Sequence, residues 1–316
     1  MSKGPSNGKS GRATVAHRLQ YGALRMVLAV LGVLPFQWAR RMGEALGMLG
    51  YRPFGIRRRV VTRQIAAAFP GLAEREVADL ARGAYRSLGR TTIESALSAD
   101  RGRDGVLALV GSNDPLTPIT EALAAGRGVV LVTGHLGNWE LSAAWLAAKG
   151  VPIDVITRRQ ANPLFDDWIT RTRQALGLLV VPDAEAVRRV PRAFREGRAV
   201  GFVADQGVLG LASTFVPFFG RPAKTPRGPA VFALKYALPM IFVVAVLQPE
   251  GRYHVVIEPI PLRPSGDRER DVDDAVAMFT KVLERYVRRY PEQYFWHHRR
   301  WRRQPPDTPE ELREPR

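Results

Sequence analysis

With 316 residues, 46% of them apolar, the chain is long and apolar enough to bury one α/β core of about 250 residues, and it is not a disordered polymer. Its 47 Lys and Arg against 30 Asp and Glu, a formal charge of +17, imply an anionic partner: nucleic acid, phospholipid head groups or an acidic carrier protein. The absence of cysteine excludes disulfides, thiolate metal sites and a cysteine nucleophile.

Residues 1–18, rich in Ser, Gly, Lys and Arg, read as a flexible basic leader. From Ala23 to Pro35 the chain turns apolar, broken only by Arg25. This run is shorter than the roughly 20 residues of a membrane span, and no small-residue cleavage site follows it. Phe36, Trp38 and then Arg40, Arg41, Arg52, Arg57, Arg58, Arg59 and Arg63 complete an arm over residues 19–64. An apolar helix, an aromatic pair and a basic cluster are what an interfacial anchor on an anionic leaflet uses, and the pattern favours that reading. The alternative is a first helix docked on the core beside a solvated Arg-rich loop.

Val77, Leu80, Ala84 and Leu88 recur at helical spacing within residues 73–97, and Val106 to Val110 reads as a short strand. Thr117-Pro118 starts a helix. Strands and helices then alternate: strand Val129 to Thr133, helix 138–148, strand Ile153 to Thr157, a helix from Asn162-Pro163 to near Gly177, a strand to Val181, helix Asp183 to Glu196, and strand Ala199 to Ala204. Thr225-Pro226 opens a helix through Tyr236. Met240 to Leu247 has the continuous apolar character of a strand buried on both faces, Tyr253 to Glu258 is its partner, and residues 272–289 are a last helix before Pro291. The pattern predicts an α/β fold, with a largely parallel central sheet flanked by helices over residues 65–305, the anchoring helix before it and a loose tail over 306–316.

Gly134-His135-Leu136-Gly137-Asn138-Trp139-Glu140 directly follows the strand ending at Thr133. Loops after the C-terminal strand ends of a parallel sheet form its ligand crevice, so His135 falls where chemistry is expected and Glu140 lies near the start of the next helix. A carboxylate that accepts from one imidazole nitrogen fixes the tautomer and leaves the other nitrogen free as a base. His135 with Glu140 as partner would thus activate a substrate hydroxyl directly. The bland alternative is a strand-end histidine and a favourable charge at a helix start. Asp205 follows its own strand as His135 follows the first, and Arg158-Arg159 closes another. There is no zinc-finger spacing, RNP-like strand or recognition helix for nucleic acid, no dinucleotide or phosphate-loop motif, and no convincing metal-ligand spacing.

These residues resemble the late acyltransferases of lipid A biosynthesis, within the glycerolipid and lysophospholipid acyltransferase group that carries a His-x4-Asp/Glu motif. Further blocks match in order: Asn162-Pro163-Leu164 before Arg171-x-Arg173, Ala204-Asp205-Gln206, Phe215-Val216-Pro217-Phe218-Phe219-Gly220 with Ala223-x-Thr225 and Gly228, and Pro291 to Trp301. The resemblance runs from about residue 20 to 305. It implies an enzyme at the cytoplasmic face of the bacterial inner membrane that takes an acyl group from an acyl thioester, on acyl carrier protein or coenzyme A, and places it on a hydroxyl of a lipid-linked sugar, with no bound cofactor or metal. By carry-over His135 is the base, Glu140 its partner and Asp205 a further active-site residue. Arg158, Arg171, Arg173 and Asn138 are the substrate-binding candidates. Donors for the oxyanion are either backbone N–H groups after Gly134 or one of those arginines. Phe215 to Phe219 reads as core or as the wall of an acyl tunnel, and the Trp296 to Trp301 block as a membrane-facing belt or as a segment packed on the sheet. Gln206-Gly207 stands where many relatives carry a second acid, which weakens the case for Kdo-bearing lipid A itself as acceptor. Glu140 in place of Asp favours the lipid A branch over the actinobacterial mannoside acyltransferases.

Overall fold

The computed structural model describes residues 13–207 and 210–315. In chain order the elements are α1 (Val15–Gly32), α2 (Phe36–Tyr51), α3 (Arg58–Ala68), α4 (Glu74–Leu109), β1 (Val110–Asn113), α5 (Thr117–Ala124), β2 (Val129–Thr133), α6 (Trp139–Ala148), β3 (Ile153–Thr157), α7 (Pro163–Ala175), β4 (Leu179–Pro182), α8 (Ala186–Arg195), β5 (Ala199–Val203), β6 (Ser213–Phe218), β7 (Arg221–Pro226), α9 (Gly228–Lys235), β8 (Met240–Leu247), β9 (Tyr253–Ile260) and α10 (Arg268–Arg289). One sheet has the order β1-β9-β8-β2-β5-β3-β4, and every neighbouring pair in it is parallel except β8 with β9. Strands β6 and β7 form a separate antiparallel hairpin.

The alternation of apolar residues along the central strands divides the core in two. Val130 and Val132 of β2, with Phe242, Val244 and Val246 of β8, face one cluster shared with α3, α8 and α10. Val129 and Leu131, with Ile241, Val243 and Ala245, face a second cluster shared with α5 and α6. Helices on both faces are what a buried parallel sheet requires, and the predicted α/β architecture stands.

Two predicted elements differ. Val106 to Leu109 is the end of α4 rather than a strand: Val106 and Leu109 bury one helical face, and the helix changes direction at Gly102, where φ is 61°. Thr225-Pro226 ends β7, paired with Thr214 and Ser213, and α9 begins at Gly228. Both segments satisfy local propensity in either state, and the ladder partner decides.

The N-terminal expectation needs correction. Helix α1 starts at Val15, inside the stretch expected as leader; the rest of that leader, residues 1–12, lies outside the described residues. Among the described residues no helix is long and apolar enough to cross a membrane. The inner side of α1 buries Leu28 and Leu31 against Ala39, Ile93 and Leu97 instead. Helices α2 and α4 meet backbone to backbone through Gly43, Gly47 and Gly89; a Cβ on Gly47 would overlap the Tyr85 carbonyl, and one on Gly89 the Gly43 carbonyl. The stretch expected as a loose tail is tied back, with Thr308 buried, Glu314 paired to Arg299 at 2.5 Å and Arg221 Nη1 donating to the Arg313 carbonyl at 2.9 Å.

Candidate active site

Strands β2 and β5 are neighbours in parallel register, with Thr133 opposite Val203 and the Ala204 N–H donating to the Thr133 carbonyl at 2.9 Å. Two residues beyond each strand stand His135 and Asp205, so the register itself sets them side by side at the C-terminal edge of the sheet. His135 Nδ1 lies 2.7 Å from Asp205 Oδ1, and the His135 backbone N–H donates to Oδ2 at 3.0 Å. Nδ1 is therefore the protonated nitrogen and Nε2 the free one. Asp205 is 1% exposed. Burial pushes the imidazole pKa down, but the charge and hydrogen bond of Asp205 and the charge of Glu140 outweigh it, so the net shift is upward. Burial also opposes ionisation of Asp205, yet the His135 charge, its two hydrogen bonds and Arg300 hold the carboxyl well below the usual range.

The carboxylate expected against the imidazole, Glu140, is engaged elsewhere. Its two oxygens accept from Arg173 Nε at 3.0 Å and Nη2 at 2.5 Å, a bidentate pair between the first turn of α6 and the last turn of α7. Asn138, expected to meet substrate, is a 1% exposed helix cap: its Oδ1 accepts from the Leu141 N–H at 2.9 Å and its Nδ2 donates to Glu94 at 2.9 Å. Arg171 points away from the site and pairs with Asp167 at 2.5 Å on the exposed side of α7. Arg158 is exposed and borders a separate basic basin. The backbone N–H groups of residues 135 to 138 are all consumed, by Asp205, Gly134, Gln293 and Ala245 respectively, so none is available as an oxyanion donor. Gly137 makes this turn possible: its φ is 57°, and a Cβ there would collide with the Ala245 carbonyl.

Above the His135–Asp205 pair opens a cavity of about 430 Å³, within the range of small-molecule sites. Leu24 and Leu28 of α1, Leu88 and Ile93 of α4, and Trp168 and Ile169 of α7 make its apolar walls. His135, Glu140, Arg173 and Gln206 supply a polar floor, and five Ser and Thr residues of α4 and α7 add hydroxyls to the lining. Among the described residues, no three or more His, Asp or Glu come together as metal ligands.

A model of the bacterial lipid A biosynthesis acyltransferases matches residues 11–303. The chain belongs to that family. It is 27% identical over 288 residues to the lipid A biosynthesis lauroyltransferase of Escherichia coli, covering 90% of this chain and 91% of that one. It is 27% identical over 276 residues to the lipid A biosynthesis palmitoleoyltransferase of the same organism, covering 86% and 87%. A phosphatidylinositol mannoside acyltransferase of Mycobacterium tuberculosis is 33% identical over 125 residues, 38% of this chain and 39% of the relative.

Several residues of this lipid A acyltransferase-family site escaped sequence reasoning. Trp139 and Phe295 flank the His135 ring, at 4.9 and 5.8 Å between centroids. The Phe295 N–H donates to the His135 carbonyl at 2.9 Å, and Leu136 bridges to Tyr294, so the C-terminal block clamps the histidine turn. Buried Glu94 joins Arg40 of α2 at 2.6 Å, the Tyr253 hydroxyl at 2.5 Å and Asn138, tying three elements to the cap of α6. Gln206 lies over the imidazole, its Nε2 3.1 Å from Nδ1. The family blocks pointed to Phe295 and Gln206, but only the fold shows what they touch. None of Phe215 to Phe219 lines this cavity, and Phe218 packs against Tyr294 and Trp301. Nor is the C-terminal block a membrane belt, because Trp296 and Trp301 are fully buried.

Proposed function

We propose that the enzyme moves a fatty acyl chain from an acyl thioester, carried by acyl carrier protein or coenzyme A, to a hydroxyl of a lipid-linked sugar. The supporting observation is an imidazole with a buried carboxylate bonded to Nδ1, which leaves Nε2 as the base nitrogen, in the lining of a cavity with largely apolar walls. A fatty chain fits those walls, and its thioester reaches the floor. The acceptor hydroxyl passes its proton to His135 Nε2 as its oxygen attacks the thioester carbonyl. Collapse of the adduct breaks the C–S bond, and the imidazolium returns the proton to the departing sulfur. The Arg173 guanidinium and the Gln206 amide are the donors on the cavity floor for the carbonyl oxygen. Glu140 acts through Arg173, holding the guanidinium in place. The lipid A relatives over nearly the whole chain favour a lipid A-type acceptor; the shorter mannoside acyltransferase match supports a phosphatidylinositol mannoside as the second reading.

The same proposal places the protein on the cytoplasmic face of the bacterial inner membrane, lying on it rather than spanning it. The outer side of α1 and its C-cap expose Met26, Val30 and Val33 at 59–83%, and α2 continues the apolar strip with Trp38 and Met42 beside Arg41. Helix α1 thus lies between the lipid-facing side and the cavity that Leu24 and Leu28 line, a route for acyl chains.

The test is transfer by purified protein from acyl carrier protein and coenzyme A thioesters to a panel of glycolipid acceptors. Wild type transfers, and His135→Ala loses roughly 10²–10⁴-fold in rate. Near-wild-type transfer by His135→Ala, or no transfer to any glycolipid hydroxyl, refutes the reading. Mass spectrometry of wild type held with donor alone shows no acyl adduct; a stoichiometric one replaces the direct route by a ping-pong route.

A further inference from the structure

A second cavity, of about 250 Å³, lies on the other side of Gln206 from the apolar one. Arg158, Lys224, Arg299, Arg300, Arg302 and Arg303 line it, and no acidic side chain does. Only Arg299 of the six has a carboxylate partner among the described residues, Glu314. Arg300 is 3% exposed; Nη1 and Nη2 donate to the Lys224 carbonyl and Thr225 Oγ1 at 2.7 Å, while Nε keeps no partner among the described residues. His298 also borders the basin, and burial, together with the Arg300 charge, pushes its imidazole down to about 4, so it adds a neutral ring rather than a further cation. Four separate parts of the chain converge here: the end of β3, the segment after β5, the hairpin strand β7 and the C-terminal block.

Cations gathered in a partly enclosed space repel one another, and although the Asp205 charge favours the buried Arg300 cation, no carboxylate lines the basin to offset the others. A fold that holds this arrangement is built for an anion that compensates it when bound. The multidentate, oxygen-rich anion that guanidinium forks match is a phosphoryl group. We propose that this basin binds a phosphate covalently carried by one of the two substrates, so that Gln206 marks the junction between a phosphate subsite and the acyl cavity. The inference rests on the acyl-transfer reading for which substrate enters, not for the anion chemistry. Two sources share that chemistry: the phosphates of a pantetheine-bearing donor, and a phosphate on the sugar of the acceptor.

The experiment uses full-length protein and the double variant Arg158→Ala/Arg302→Ala, whose side chains are both exposed and whose removal leaves the core untouched. KM is measured for acyl-coenzyme A against the acyl-pantetheine thioester without phosphate, and for a phosphorylated against a dephosphorylated glycolipid acceptor. Expected is a KM raised roughly 10-fold or more for the one phosphate-bearing substrate, with kcat nearly kept and KM for its phosphate-free analogue unchanged. The donor arm responding assigns the basin to the pantetheine side; the acceptor arm responding assigns it to the sugar. Equal KM in both arms for wild type and variant overturns the proposal. Calorimetry with inorganic pyrophosphate separates this failure from failure of the transfer reading. Binding by wild type that weakens in the variant upholds the anion site even if no glycolipid is acylated, and no binding by wild type refutes it.

Discussion

Asp205→Asn is the substitution whose outcome the geometry dictates most closely. Asp205 accepts two donors at once, the imidazole Nδ1–H at 2.7 Å on Oδ1 and the His135 backbone N–H at 3.0 Å on Oδ2. An asparagine has one acceptor and one donor in the same space. If its carbonyl keeps the backbone N–H, its amide faces Nδ1, which must become an acceptor; the ring proton then moves to Nε2 and the base is lost. If its carbonyl keeps Nδ1–H, a buried backbone donor is orphaned against an N–H, at about 1–3 kcal/mol. The first outcome costs activity and the second costs stability. The expected result is turnover reduced roughly 10²–10⁴-fold with a loss of at most about 3 kcal/mol in unfolding free energy. The pH profile carries the sign. His135 works as a neutral base, so kcat/KM falls as pH drops through its pKa, which in wild type lies above the ordinary 6.5. Removing the Asp205 charge leaves burial as the main influence, and the acid limb of whatever activity remains moves to lower pH. Steady-state rates of purified wild type and variant between pH 5 and pH 9, with denaturant unfolding of both, measure all three quantities. A variant with near-wild-type rate and an unmoved acid limb refutes Asp205 as the orienting carboxylate.

Glu140→Gln keeps a neutral contact to Arg173 but removes the bidentate charge pair. Its effect should appear in turnover with a smaller displacement of the acid limb than Asp205→Asn gives, and an equal or larger displacement counts against this division of roles. Arg171→Ala, on the exposed side of α7, should leave both kcat and KM near wild type in the same assay. Helix propensity alone makes Gly47→Ala stabilising by about 1 kcal/mol; the overlap with the Tyr85 carbonyl reverses the sign, and thermal unfolding should show a loss of about 1–3 kcal/mol or more. Trp38→Glu/Met42→Glu should reduce sedimentation with anionic vesicles while leaving the thermal transition nearly unchanged, and unaltered sedimentation would remove the interfacial role of α2.

The central strands were legible because their signal is local. Val129 to Thr133, Ile153 to Thr157 and Met240 to Leu247 are apolar runs with turn residues at their ends, and each is a strand with those bounds in the structure. Placing His135 at a strand end needed nothing further, since the crevice of a parallel sheet follows from its topology. The apolar arm was legible as a helix but not as a cavity wall, because amphipathic character shows that a face will be buried without showing against what. Asn138 was read as a substrate-binding residue, but the structure makes it the cap of α6, and the cluster consuming its side chain brings in Glu94, 44 residues away.

The partner of His135 is where local inference stopped. Glu140 is five residues on and made a natural candidate, but the structure turns it toward Arg173, 33 residues further along, while the imidazole meets Asp205 at a separation of 70. Composition, the bounds of the central strands, the alternation that implies a parallel sheet, and the position of His135 follow from the sequence by itself, because burial pattern and turn chemistry act over a few residues. Which carboxylate faces the imidazole, which arginines reach the cavity, and that six cations surround one basin were decided only by tertiary structure. The physical reason is register: two residues beyond paired β2 and β5 become neighbours once the ladder between Thr133 and Val203 forms, and no spacing along the chain encodes that contact.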